Sequence, residues 1–315
     1  MTECVQWLED NMEYTAVIRT LGKAGEKYQT LLDSLVSQTI PPKEIIVYIA
    51  EGYPFPKETC GKEKYVYVPK GMVAQRALRY DEVHTDYLLM LDDDVYLPGD
   101  AVERLFREMS ENGGDVISPD VFHNADRPRK IEILMTLSGR IYARKRDSKW
   151  GYKVMLNGGY SYNKHPRLVM QSQTNAGPCL LCRKSDFLGI AFEDEFWLDE
   201  MPYALGEDQV LFYKMHQAGL KVLTSFDSGI VHLDAGTSIV SEEKERVLAY
   251  CDCRFKMIFW RKFIWRKTAG ISRVWAILFM GYTITVNLLL SLLKLRFDMF
   301  KQKYSGYKSG IIYKL

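Results

Sequence analysis

The chain has 315 residues, 47% apolar and 26% charged, which excludes wholesale disorder and leaves room for one large domain or two modest ones. Its 22 glycines and 11 prolines exclude a fibrous or low-complexity protein, and six cysteines are too few for a disulfide scaffold at this length. The net charge of +2 hides a division: residues 254–315 hold 13 Lys/Arg against one acid, Asp298, a net of +12, which leaves −10 for residues 1–253. Such asymmetry points to a partner for the basic end.

Residues 1–14 carry Glu3, Glu9, Asp10 and Glu13 and no apolar core, so no secretory signal is expected and reduced thiols in the cytosol follow. Tyr14–Arg19 reads as a strand, and Tyr28, Leu31, Leu32, Leu35 and Val36 recur at helical spacing until Pro41-Pro42. Glu44–Ile49 and Lys64–Val68 read as strands, Met72–Val83 as a helix, and Tyr87–Leu91 as an apolar strand ending in Asp92-Asp93-Asp94. Pro98 opens a helix to about Met109, and Asp115–Ser118 is a short strand. Strands alternating with helices predict an α/β fold with a mostly parallel sheet and helices on both faces.

Beyond residue 120, Asn157-Gly158-Gly159 predicts a hairpin between Tyr152–Leu156 and Tyr160–Asn163. Leu180–Arg183 returns to the sheet, Asp208–Ala218 is a helix stopped by Gly219, and Val222–Leu223 starts another extended segment. Cys179 and Cys182 have CxxC spacing without a second pair at zinc-site spacing, and read as buried structural cysteines. From Arg254 to Lys267 aromatics alternate with cations, and Val274–Leu293 runs 20 residues without a charge, the length of a membrane crossing.

Three carboxylates at the C-terminal end of a buried strand stand where open α/β sheets bind ligands, and oxygen donors suit Mg²⁺ or Mn²⁺ with bound phosphates. A solvated acidic turn before Pro98 is the plainer alternative. Gly206-Glu207-Asp208 places acids at a helix start, as capping alone would, and His232 ends an apolar stretch, as a structural histidine or as a ligand.

Together with VIRT (17–20), SLVSQTIPPKEIIVYIAEG (34–52), KGMVAQRAL (70–78), LLMLDDDVYLPGDAVERL (88–105), AGPCLLCRKSDF (176–187), GEDQVLFYKMHQAGLKV (206–222) and GIVHLDAGTS (229–238), these residues resemble family 2 glycosyltransferases over about residues 14–238. The resemblance implies the GT-A fold, Rossmann-like, in a catalytic domain over residues 1–253. It also implies a nucleotide-sugar donor (a UDP-sugar first of all), Mn²⁺ or Mg²⁺, and an acceptor hydroxyl on a glycan or lipid-linked carrier. Asp92 and Asp94 fall on the ends of the family's DxD motif. Asp94 is the implied metal ligand, Asp92 a nucleotide contact that also counts among the metal candidates, Asp93 either, and His232 a further ligand. Asp208 matches the general base of inverting transfer, and Glu207 orients the acceptor or exchanges roles with it. Thr20 and Glu51 follow the first two strands as nucleotide contacts, Glu51 being otherwise a turn residue. Arg76 and Lys70 stand near the donor or on a solvated helix face.

Residues 120–175, with Arg127, Arg129, Lys130, Arg140, Arg144, Lys145, Arg146, Trp150, Tyr152, Tyr160 and Tyr162, form either an acceptor site or a surface insertion; no nucleic acid partner is expected, for no RNA-binding motif accompanies them. Cations with Trp260, Trp265 and Trp275 suit a membrane-associated helical tail over 254–315, held to an anionic membrane surface at the cytoplasmic face. Thr283, Asn287 and Ser291 make a polar stripe on 274–293, which leaves that segment peripheral, re-entrant or single-pass. Rival readings are a sugar nucleotidyltransferase, for which LGKAGEK (21–27) is a poor loop, and a non-catalytic glycan-binding protein, which has no need of both Asp94 and Asp208.

Overall fold

The computed structural model describes residues 12–121, 129–139, 148–233 and 241–315. Arg127, Arg140, Arg144, Lys145 and Arg146, and residues 234–238 of the motif at 229–238, lie outside the described residues. In chain order the elements are β1 (Tyr14–Thr20), α1 (Glu26–Val36), β2 (Glu44–Ala50), β3 (Glu63–Val68), β4 (Tyr87–Asp92), β5 (Val95–Tyr96), α2 (Ala101–Glu111), β6 (Val116–Pro119) and α3 (Arg129–Leu137). There follow β7 (Tyr152–Val154), β8 (Tyr160–Tyr162), β9 (Val169–Gln171), β10 (Cys179–Arg183), α4 (Lys184–Gly189), α5 (Glu207–Gln217), β11 (Val222–Ser225), β12 (Val231–His232), α6 (Glu242–Phe259), α7 (Gly270–Leu293) and α8 (Phe297–Ile312). Two compact units result. One comprises Met1–His123, Pro166–Phe196 and Leu211–Ser238; the other comprises Asn124–His165, Trp197–Val210 and Ile239–Leu315. Neither unit begins or ends at 253/254.

The first unit is an α/β body around an eight-stranded sheet ordered β3-β2-β1-β4-β10-β6-β11-β9. β3, β2, β1 and β4 run parallel, β10 is antiparallel to both β4 and β6, and β11 pairs parallel with β6. β1 and β2 are rich in β-branched residues and nearly all buried, as central parallel strands must be when both faces are covered. Tyr28, Leu31, Leu32 and Leu35 of α1 and Val102, Leu105, Phe106 and Met109 of α2 pack on one face with Ile18, Val47 and Leu91. Gln38 locks these helices together: its Nε2 donates to the Pro98 carbonyl at 2.7 Å, and its Oε1 accepts from the Val102 N–H at 3.1 Å.

On the opposite face the sequence expectation fails. Met72–Val83 is a chain of turns, not a helix. Val73, Gln75, Arg76 and Tyr80 are all buried, so polar and apolar side chains alike turn inward. Gln75 and Arg76 bond to distant backbone carbonyls, and Tyr80, at φ 54°, stands edge-on to Tyr48 and Phe187. Tertiary anchors outcompete a helix here, because they satisfy buried groups that helical geometry would aim outward. Cys179 and Cys182 lie three residues apart on β10 and therefore point to opposite faces, both fully buried; burial raises both thiol pKa values.

In the second unit β7 and β8 form the expected hairpin, whose turn is closed by the Gly159 N–H on Asn157 Oδ1 at 3.0 Å. α6 opens with the Ser241 side chain capping Lys244 N, and α8 lies along α6. α7 is, among the described residues, the one helix long and apolar enough to cross a membrane by length and composition, with mean hydropathy 2.0 over its best window, of which 17% is buried.

Candidate active site

β4 is a central strand whose Leu88–Leu91 are buried between β1 and β10, so the chain emerges at the C-terminal edge of the sheet at Asp92. The next residues turn at once into β5, which pairs antiparallel with β12 in a register that sets His232 opposite Val95. The Leu233 N–H donates to the Asp94 carbonyl at 2.8 Å, extending that pairing. The result is side-chain contact between His232 Nε2 and Asp94 Oδ2 at 3.1 Å. Both line an open cleft of about 370 Å³ with Arg19, Thr20, Lys23 and Asp93.

Asp92 meets two guanidinium groups. Arg19, its register partner on β1, donates through Nε to Oδ1 and through Nη2 to Oδ2 at 3.2 Å, while Arg76 Nη2 lies 3.6 Å from Oδ1. Burial raises the Asp92 pKa, but Arg19 first and Arg76 next outweigh it and hold the carboxyl below its ordinary value. Asp93 is pushed up to about 6, by burial above all and by its two acidic neighbours, against a hydrogen bond donated by the Thr20 hydroxyl. That hydroxyl in turn accepts from the Gly22 N–H at 2.8 Å.

Arg76 is buried, with Nη2 also donating to the Gly177 carbonyl at 2.9 Å, so it braces the strand ends from beneath. Lys70 Nζ sits 5.0 Å from the centre of the Tyr53 ring, and Lys23 Nζ 4.8 Å from it. Glu51 occupies the exposed turn after β2, its N–H bonded to the Val68 carbonyl at 2.8 Å. The structure thus brings together Thr20, Arg76, Asp92, Asp93, Asp94 and His232. Glu51 and Lys70 are not among the residues lining the cleft.

Glu207 and Asp208 open α5 and belong to the second unit, Glu207 buried and Asp208 half-buried. Gly206 before them has φ 81°, and a Cβ there would stand 2.1 Å from the Phe255 ring, which stacks on Trp197. Gln209 Nε2 donates to the Gly158 carbonyl at 2.7 Å, tying this turn to the hairpin.

Three cleft residues escaped the sequence reading. Arg19 is a single cation in an apolar strand, and its alignment with Asp92 appears only in strand register. Gln75 donates to the Thr20 carbonyl at 3.0 Å across the cleft floor. Lys23 lies in the 21–27 loop, where a cation between glycines was the available signal.

Asp94 and His232 are the cleft residues that would hold a divalent ion. Among the described residues no three His, Cys, Asp or Glu side chains converge into a cage. One carboxylate and one imidazole in contact at the cleft offer oxygen and nitrogen donors of the kind that Mn²⁺ or Mg²⁺ would use together with phosphate and water ligands.

No protein-family model matches the chain, and no curated protein matches its sequence. Among solved structures, one described as GalNAc-T7 with UDP, GalNAc and Mn²⁺ aligns at 13% identity and a TM-score of 0.49, covering 86% of this chain and 55% of that one. This chain therefore spans about half the length of that protein. S. aureus TarS residues 1–349 in complex with UDP-GlcNAc aligns at 12% identity and a TM-score of 0.42, covering 94% of this chain and 91% of that one.

Proposed function

We propose that this chain is an inverting, metal-dependent glycosyltransferase. It would move a sugar from a nucleotide-sugar donor, a UDP-sugar first of all, to a hydroxyl of a glycan or lipid-linked acceptor in cell-surface polysaccharide assembly. The observation that carries this reading is the Asp94–His232 contact at the mouth of a cleft that also presents Arg19 and Lys23. A partial metal shell beside two cations is a place for a diphosphate, and the motifs at 88–105, 206–222 and 229–238 support the same chemistry.

In this reading Asp94 and His232 would hold the ion, with Asp92 the further candidate, and the ion when bound would stabilise negative charge on the departing diphosphate. Lys23 and Arg19 face the same phosphates. Thr20 and Asp93 offer a hydroxyl and a carboxyl to the nucleoside, while Glu51 and Lys70 stand on the neighbouring loops. Asp208 takes the proton of the acceptor hydroxyl as that oxygen bonds to the anomeric carbon and the bond to the diphosphate breaks on the opposite face. Glu207 orients the acceptor or its loop. The tail would keep the enzyme at the cytoplasmic face of the cell membrane.

The test is nucleotide release from a panel of nucleotide sugars with Mn²⁺ or Mg²⁺ and candidate acceptors. Turnover should vanish in Asp94→Asn and Asp208→Asn, and Asp208→Asn should still bind donor. If no nucleotide sugar is bound or turned over with any acceptor, the reading fails.

A further inference from the structure

The apolar length of α7 invites a transmembrane reading, and the packing of the second unit opposes it. α8, which follows α7 after a short turn, lies directly on α6. A Cβ at Gly306 would stand 2.4 Å from the Tyr250 carbonyl, and one at Gly310 2.6 Å from Met257 Cβ, so the glycine pair permits a helix contact too close for any side chain. Arg261 Nη1 donates to the Gly310 and Tyr313 carbonyls at 2.7 and 2.8 Å, and Tyr250 meets Ser309 at 3.1 Å. The C-terminus is thereby fastened to the same side of α7 from which the chain entered.

The polar stripe of α7 is fastened likewise. Asn287 Nδ2 donates to the Tyr307 hydroxyl at 2.9 Å, and Lys303 Nζ donates to Asn287 Oδ1 at 2.8 Å. Near the helix midpoint, Asn157 in the hairpin turn donates to Thr283 Oγ1 at 3.2 Å. A crossing would pull an ammonium group and a hairpin turn into hydrocarbon, where no water satisfies their remaining polar groups.

The opposite side of α7 is exposed and apolar: Ile271, Val274, Trp275, Leu278, Leu289 and Leu293. Arg266 and Lys267 stand before it, Arg273 lies in its first turn over the Trp265 ring at 5.7 Å, and Lys294 follows it, next to Arg296, which pairs with Glu245 at 2.5 Å. A span with these groups would carry positive charge on both sides of a bilayer. An in-plane helix puts all of it against one anionic headgroup layer, with indoles at the boundary.

We propose that α7 is a monotopic anchor, lying in the plane of an anionic lipid leaflet with its Ile271–Leu293 apolar face immersed and both flanking helices on the entry side. This rests on the membrane placement proposed above and is independent of the catalytic reading.

The test uses the full chain with epitope tags at both termini. Phosphatidylglycerol-containing vesicles should bind it, and phosphatidylcholine vesicles should bind it more weakly. Leu278→Glu/Leu289→Glu should lower partitioning about 100-fold, since each buried leucine is worth on the order of a tenfold factor, while the melting temperature holds. In sealed vesicles with protein added outside, and in membranes from expressing cells, protease should reach both tags from one side. Tags on opposite sides overturn the in-plane anchor alone. Absence of vesicle binding overturns the membrane placement with it, as does a dimer in lipid-free solution that the same double substitution dissociates.

Discussion

His232 and Asp94 touch at 3.1 Å because the two-residue strands β5 and β12 pair in a register that sets His232 opposite Val95, the residue next to Asp94. The ligand pair is therefore a product of strand pairing. His232→Ala should raise the Mn²⁺ concentration for half-maximal nucleotide release by about tenfold or more, the usual scale for weakening a metal shell. The check is a Mn²⁺ titration at saturating donor, and an unchanged midpoint removes His232 from the site.

Arg76→Met removes a buried guanidinium that holds the Gly177 carbonyl and stands beside Asp92. The orphaned carbonyl and the less compensated carboxylate should cost about 1–3 kcal/mol of stability. Urea unfolding reads this as a lower midpoint at unchanged slope. A midpoint equal to that of the parent protein would mean that the guanidinium braces nothing.

Gly206→Ala forces a Cβ into the Phe255 ring at a residue with φ 81°. Backbone strain of about 1–2 kcal/mol adds to overpacking of about 1–3 kcal/mol. Phe255→Leu should recover only the second part in the double substitution, because the dihedral cost stays with residue 206. Thermal melts of both variants separate the two contributions.

Glu63 folds back on its own loop, accepting from Cys60 N at 2.6 Å, Lys62 N at 2.9 Å and Thr59 Oγ1 at 3.0 Å. Burial raises its pKa, but these donors, led by the Cys60 N–H, hold it below the usual value. A depressed folded pKa stabilises the protein above the unfolded value of about 4.3, and the contribution is lost as pH falls through the folded value. Glu63→Gln should thus cost about 1 kcal/mol at pH 7, less where solvent screens the loop, and nothing in strong acid. Urea unfolding at several pH values measures the difference.

Among the described cysteines, Cys179 and Cys182 should resist iodoacetamide in the native protein, while the half-buried Cys60 reacts first. Mass spectrometry of the alkylated chain decides. Protection of both residues that depends on added zinc would contradict their placement on opposite faces of β10.

Much of this was legible in the chain itself. YLLMLDDD reads as a buried strand ending in acids because apolar content and its abrupt end are local properties, and Asn157-Gly158-Gly159 announces its hairpin for the same reason. Met72–Val83 predicts a helix because Val73, Ala77 and Tyr80 repeat at helical spacing, yet that pattern is equally produced by side chains drawn inward one by one.

Local sequence determined the strands, most helices, the acidic cluster and the division of charge, since each depends on neighbours within a few residues. Only the tertiary structure decided which acids keep which partners. Strand register gave Asp92 to Arg19 and Asp94 to His232, and distant helix contacts turned the polar stripe of α7 toward Lys303 and Tyr307. Those pairings are set by contacts between segments far apart in the chain, which no local period encodes.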